Sequence, residues 1–322
     1  MLLCEVTINS ILHRVSMEGA ALEYFWDPLI ISIDPPQYKI ANPYGGYVRP
    51  GYGSISFSPD LFASSWPPPA RCDVTLYYAD GEETSRETLF SGAMHLRSIT
   101  REGISYELFG PSFSAEVAGG TAFDDTLVNV TSWFCDPSRL NLSLDSTYAR
   151  SPSPAVKFTT ARDELAINLL SRLCAFFTHL FYVRGSTLYL VDMFADAGSE
   201  TLTEFDFFPS EYELNVPVGI VKSANHARTS IHVYGNELAL GAEYHDMQAN
   251  IEAALDDILT IVNRPRCRLR IPFKGGLPNP GKKISWSDSS VGQGLNAYIR
   301  ARTMKYDFVG GEIVVEGEGV LS

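Results

Sequence analysis

Arg266, Arg268 and Arg270 occupy alternate positions of one short stretch, separated by Cys267 and Leu269. On a β-strand this spacing lines three guanidiniums along one face, about 7 Å apart. Like charges in such a row repel one another unless carboxylates interleave. The row reads either as a solvated strand edge blunted against aggregation or as a charged subunit interface. Arg suits the second role because its planar fork grips carboxylates through two hydrogen bonds. The surrounding charge favours the interface: residues 264–305 hold ten Lys and Arg against Asp288 alone, a balance of 10 − 1 = +9.

Other residues that could do chemistry are scattered. There is no G-x-S-x-G nucleophile elbow, no H-E-x-x-H, and no G-x-x-x-x-G-K-[ST] phosphate loop. Gly281-Lys282-Lys283 follows a proline and lacks the upstream glycines. Six histidines (His13, His95, His179, His226, His232, His245) are dispersed, and only His226 and His232 could share a strand face. Asp124-Asp125 and Asp256-Asp257 are adjacent, so on a helix each pair diverges by about 100°. The first reads as a helix cap and the second as a solvated face. Five cysteines, odd in number and without C-x-x-C, read as ordinary buried thiols rather than a zinc or disulfide framework. The expectation is a protein that is not an enzyme, with no catalytic residues, no metal and no cofactor. A glycosidase pair of carboxylates facing each other in space is not legible in a sequence.

With 322 residues the chain is long for a single core, and two or three domains are expected. A composition of 45% hydrophobic and 20% charged residues is that of a globular protein. The net charge of −13 argues against a nucleic-acid binder. Residues 192–257 carry 13 acids against Lys222 and Arg228, a balance of 2 − 13 = −11. The acidic and basic blocks can fold together and neutralise each other, or the basic block can face an acidic partner. The start MLLCEVTINS has neither a basic stretch nor a long apolar run, so no signal peptide is expected and folding is expected in the cytosol. The apolar run from Phe176 to Val183 is too short to span a bilayer.

The elements around these residues follow from periodicity. Cys72, Val74, Leu76 and Tyr78 alternate with polar neighbours, as does Ile104-Tyr106-Leu108, so the first stretch reads as a β-meander. Glu5–Leu12 and Leu22–Ile33 are further expected strands. Between them and the meander, 34–53 (DPPQYKIANPYGGYVRPGYG) reads as a long loop, because Pro35, Pro36, Pro43 and Pro50 interrupt helix and ladder alike. Tyr38, Tyr44, Tyr47 and Tyr52 would give this loop a docking surface, or the loop folds over its own barrel. From 124 the period becomes helical, with Leu127, Val130, Trp133 and Phe134 on one face and Asp124 or Asp125 as cap. A second helix carries Leu165, Leu169, Leu170, Leu173, Phe176 and Phe177, with Thr160 and Asp163 as its start signal. Arg184-Gly185-Ser186 then turns a hairpin. Beyond 200, strands resume around one helix over 242–263 bearing Met247, Ile251, Leu255, Ile258 and Val262. The fold class is α+β, mainly β.

In this order the stretches resemble the baseplate-hub or tail-hub proteins of long-tailed bacteriophages. The resemblance rests on LFSGAMHLRSITREGISYELFGP in the first part and on Leu173-Cys174 with Leu188–Asp192 in the middle. Late in the chain it rests on Ile271-Pro272, Pro280-Gly281-Lys282, Lys305–Phe308 and Val315–Gly317. It implies two tail-tube-like barrels, 1–115 and 206–322, the second with its flanking helix 242–263, around a small α+β domain, 116–205. It implies a homotrimer in the virion tail, at the tail tip, presenting a pseudo-six-fold ring to the tail tube or a distal tail protein. Tape measure protein and separate tail fibre or spike proteins are the further implied partners. DNA would pass through the lumen without specific binding, and no membrane insertion is implied. A hexameric distal tail protein, or a β-protein binding or cleaving glycans on the aromatic loop, are the alternatives. The residues expected at interfaces are Arg266, Arg268, Arg270, Tyr38, Tyr44, Tyr47 and Tyr52.

Overall fold

A computed structural model describes residues 2–17, 27–34, 38–50, 53–79, 86–110, 112–195, 199–202, 211–213, 218–223, 226–229, 236–240, 251–272, 280–281, 283–288, 295–307 and 312–321. The first nine strands are β1 (Leu2–Ile8), β2 (Ile11–Met17), β3 (Asp27–Asp34), β4 (Tyr38–Asn42), β5 (Gly45–Pro50), β6 (Gly53–Phe57), β7 (Arg71–Ala79), β8 (Arg86–Ile99) and β9 (Ile104–Phe109). Seven of them close into a barrel in the order β1-β2-β3-β6-β9-β8-β7. Period-two patterning does this: Ile104, Tyr106 and Leu108 are buried while Ser105, Glu107 and Phe109 are half-buried. Cys4, Val6, Ile55, Val74 and Leu76 complete the interior. One end is plugged by a 3-10 turn, Pro59–Phe62, whose Phe62 stacks on Tyr106 at 5.7 Å between ring centres.

Two expectations change here. Glu5–Leu12 is a hairpin rather than one strand, because Asn9 and Ser10 both take positive φ, 48° and 68°, which is the turn that matches strand twist. The stretch from 34 to 53 is no open loop. Its described part folds back as the β4–β5 hairpin, with Lys39 opposite Arg49 and Ile40 opposite Val48. Pro43 sits in its turn and Pro50 at its end, where a missing N–H is tolerated.

The middle of the chain carries β10 (Glu116–Val117), β11 (Ala122–Thr126), α1 (Leu127–Cys135), β12 (Ser143–Tyr148), β13 (Ala155–Thr159), β14 (Glu164–Leu165), α2 (Ala166–Phe176), β15 (His179–Arg184) and β16 (Thr187–Asp192). The hairpin of β15 and β16 turns at Gly185, φ 59°. The cap of α1 is Thr126, whose Oγ1 accepts from the Asn129 N–H. Asp125 lies in β11 and accepts instead from the Asn129 side chain. Likewise α2 begins at Ala166 with no side-chain cap, and Asp163 accepts from the Gly119 N–H. Phe123 fills the α1 side of the core, stacked on Phe158 at 5.0 Å.

The late elements are β17 (Ser199–Leu202), β18 (Glu211–Glu213), β19 (Val218–Ser223), β20 (His226–Thr229), β21 (Asn236–Ala239), α3 (Ile251–Val262), β22 (Arg266–Pro272), β23 (Lys283–Asp288), β24 (Leu295–Asp307) and β25 (Glu312–Leu321). α3 buries Ile251, Leu255 and Ile258, as its spacing requires; the part of the expected helix before 251 lies outside the described residues. Among the described strands, no second ring closes. The late strands continue an open sheet that runs β12-β16-β15-β5-β4-β24-β25-β22-β18. The β4–β5 hairpin is its centre. It leaves the barrel, lies parallel to β15 and antiparallel to β24, and so ties all three parts of the chain together.

Candidate functional site

What holds this strap in place is a close backbone approach. A Cβ on Gly45 would stand 2.5 Å from the His179 carbonyl oxygen, and one on Gly46 2.9 Å from Ser171 Oγ. Both glycines have positive φ, 141° and 98°, where other residues are strained. The space they free lets the Tyr47 N–H donate to Ser171 Oγ at 3.0 Å. Tyr47 then stacks on Phe181 at 4.9 Å, and it and Tyr44 are only 8% and 7% exposed. These two tyrosines pack in the core of their own chain. That corrects the expectation that they pack on an adjacent subunit, and it removes them from any sugar platform. Tyr38 is described only as backbone, paired with Pro50 and Met304. Tyr52 lies outside the described residues.

Beside the strap sits a polar node that no motif announces. The Arg150 guanidinium grips Asp192 through two hydrogen bonds, 3.1 and 3.0 Å, donates to Asp257 of α3 at 2.6 Å, and donates to Thr178 Oγ1 at 3.0 Å. Phe194 lies against both Arg150 and Arg264, 5.3 and 4.8 Å from the ring centre. One side chain thus joins the middle of the chain to the late helix. His179 is fully buried beneath it. Its Nδ1–H donates to the Phe177 carbonyl at 2.7 Å and its Nε2 accepts from the Arg150 N–H at 3.3 Å. Desolvation, aided by the Arg150 charge and opposed by Asp192, lowers its pKa to about 4.

The folded state therefore resists the proton that an unfolded His takes up near pH 6.5. The sign follows: between pH 6.5 and 4 the unfolded chain binds more protons, so stability falls on acidification, by about 3 kcal/mol in all. Thermal unfolding followed across this window should show the loss, and His179→Gln, which keeps an acceptor towards Arg150, should flatten it.

The arginine row is not a sheet edge. β22 lies between β25 and β18, and the register sets Glu318 and Glu316 opposite Arg266 and Arg268 on one side, Glu213 and Glu211 on the other. Arg268 Nε is 3.4 Å from Glu316 Oε1. A strand of the acidic block, β18, is thus paired along its backbone with the arginine strand β22. Arg266 and Arg270 remain exposed. The described cysteines Cys4, Cys72, Cys135 and Cys174 are buried free thiols; burial pushes Cys135 up to about 11.

No protein-family model matches the sequence, and no curated protein does. Solved structures do. The 43 kDa tail protein of prophage MuSo2 from Shewanella oneidensis aligns with a TM-score of 0.61 at 11% identity, covering 98% of this chain and 96% of that one. A tail protein from Neisseria meningitidis MC58 gives 0.59 at 10%, covering 98% and 96%. Prophage tail protein gp18 from Listeria monocytogenes EGD-e gives 0.55 at 8%, covering 98% and 94%. The fold is that of prophage tail proteins.

On this tail-protein fold four of the exposed large apolar side chains among the described residues lie at one barrel end, while Tyr148 and Leu165 lie in the middle part. The β1–β2 turn, the β6–β7 connection and the β8–β9 turn all lie there, because each strand pair between them is antiparallel. They carry Ile11, Leu12, Trp66 and Ile99, 60%, 52%, 60% and 46% exposed. Periodicity could not flag them: Ile11, Leu12 and Ile99 stand at strand ends beside turns, and Trp66 lies in a connection with no period.

Proposed function

We propose that the chain is a structural protein of a bacteriophage tail. It acts as a trimeric hub at the tail tip, joining the tail tube to distal tip or fibre proteins and enclosing part of the channel for genome ejection. One observation carries this reading: the fold agrees with three tail proteins, two of them from prophages, over 98% of the chain. The barrel end bearing Ile11, Leu12, Trp66 and Ile99 supports it. Large apolar side chains rimmed by polar ones favour contact with another protein ring. The net charge of −13 suits a channel that DNA must pass without sticking.

In such an assembly the exposed Arg266 and Arg270 face a neighbouring subunit, while Arg268 holds its own sheet. Arg266→Glu with Arg270→Glu should weaken association in a salt-dependent way and leave unfolding nearly unchanged. Arg268→Glu should instead lower stability by about 1 kcal/mol, since it sets an acid among acids. Electron microscopy of particles carrying a tagged chain tests the location. Label at the tail tip is expected, and label on the capsid or absent from particles contradicts the reading.

A further inference from the structure

A cleft of about 1680 Å³ separates the outer wall of the barrel from the strap and the first turn of α2. Its charges are arranged in a way that a fold alone does not favour. Lys39 and Arg49 are directly opposite one another on β4 and β5, and Arg71 and His95 are directly opposite on β7 and β8. Like charges in directly opposed positions destabilise a sheet, and Lys39 and Arg49 are such a pair. His95 sets a hydrogen-bonding ring beside Arg71 and faces Glu107 on β9. All four side chains are exposed and line this one cleft, two on the strap and two on the barrel wall. None of the four has an ion pair among the described residues, in a chain whose net charge is −13. Of the two carboxylates in the same lining, Glu5 is held by Arg14 at 3.2 Å and by the Tyr77 hydroxyl at 3.0 Å; Asp73 lies two residues after Arg71 on β7.

We propose that this cleft binds an extended, carboxylate-bearing polypeptide segment of a partner protein, clasped between the Lys39–Arg49 pair and the Arg71–His95 pair. Its volume exceeds the roughly 300–1,000 Å³ of small-molecule sites, so a stretch of chain is the fitting occupant. Charge complementarity selects an acidic one. Nucleic acid would meet the repulsion of the whole acidic molecule on approach. The cleft's chemistry does not depend on the tail-hub role, and its test needs no other tail protein.

The probe is a fluorescein-labelled peptide of alternating Glu and Ser, titrated against the full chain by fluorescence anisotropy. A Lys-Ser peptide and a single-stranded oligonucleotide of similar length run beside it. The Glu-Ser peptide should bind, more weakly as salt rises, while the Lys-Ser peptide does not. Lys39→Gln with Arg49→Gln should weaken binding about tenfold, the loss of two charge contacts. The same variant should unfold at a higher temperature, because the like-charge repulsion is gone. Arg71→Gln alone should weaken binding by a smaller factor. Absence of Glu-Ser binding, equal binding by the Gln variant, or preference for the oligonucleotide overturns the proposal. A Gln variant that unfolds at or below the parent's temperature contradicts the opposed-charge premise, whatever the binding.

Discussion

Gly45→Val should destabilise the chain by about 4 kcal/mol. Two effects add. The backbone at φ 141° is one that side chains other than glycine enter only with strain, worth about 1–3 kcal/mol. The new side chain also meets the His179 carbonyl and the Ala175 Cα, at 2.5 and 3.0 Å from its Cβ, and both belong to backbone that cannot step aside. The strap would lift from α2 and carry with it the Tyr47–Phe181 stack and the Tyr47 N–H bond to Ser171. Chemical denaturation should show the loss as a lower midpoint. Valine at exposed Gly120, where a Cβ meets nothing within 4 Å though φ is 82°, separates the strain from the clash. A Gly45→Val protein as stable as its parent would mean that the strap is not packed on α2. Excising the β4–β5 hairpin should be at least as damaging, which reverses the expectation that belongs to a free docking loop.

Arg150→Met should cost about 3 kcal/mol. Asp192 is 7% exposed in its side chain and receives two of its hydrogen bonds from that guanidinium. Removing one member of a buried pair strands the other's charge, and that penalty exceeds what the pair contributes. Arg150→Met with Asp192→Asn should therefore recover part of the loss, which a packing defect alone would not allow. Asp257 is 31% exposed and solvated, so Asp257→Asn should cost about 1 kcal/mol. It should also loosen α3 from the middle of the chain. Hydrogen exchange in α3 reads that loosening, and unchanged protection there in both variants would show that the node does not tie the helix down.

Strands with one clean buried face were legible in the sequence, because a period of two needs no knowledge of the partner. Cys72 to Leu76 and Ile104 to Leu108 are such cases, and α3 shows the same for a period near 3.6. The β1–β2 turn was missed because Asn9-Ser10 takes the left-handed turn without its usual glycine. The strap was missed for a different reason. Its two prolines, Pro43 and Pro50, and its paired glycines are loop signals in isolation, and only the distant helix α2 explains why two glycines must stand together. Arg150 gave no signal at all, since its partners at 178, 192 and 257 are separated from it by folding. The arginine row was visible, but the acids opposite it are set by strand register, which no local pattern reveals.

Native mass measurement of the purified chain tests the hub role most directly. A trimer at micromolar concentration is the predicted result, and it should dissociate more readily when Arg266 and Arg270 are reversed. A stable monomer or dimer under those conditions would contradict the trimeric hub, and a hexamer would point instead to a distal tail protein.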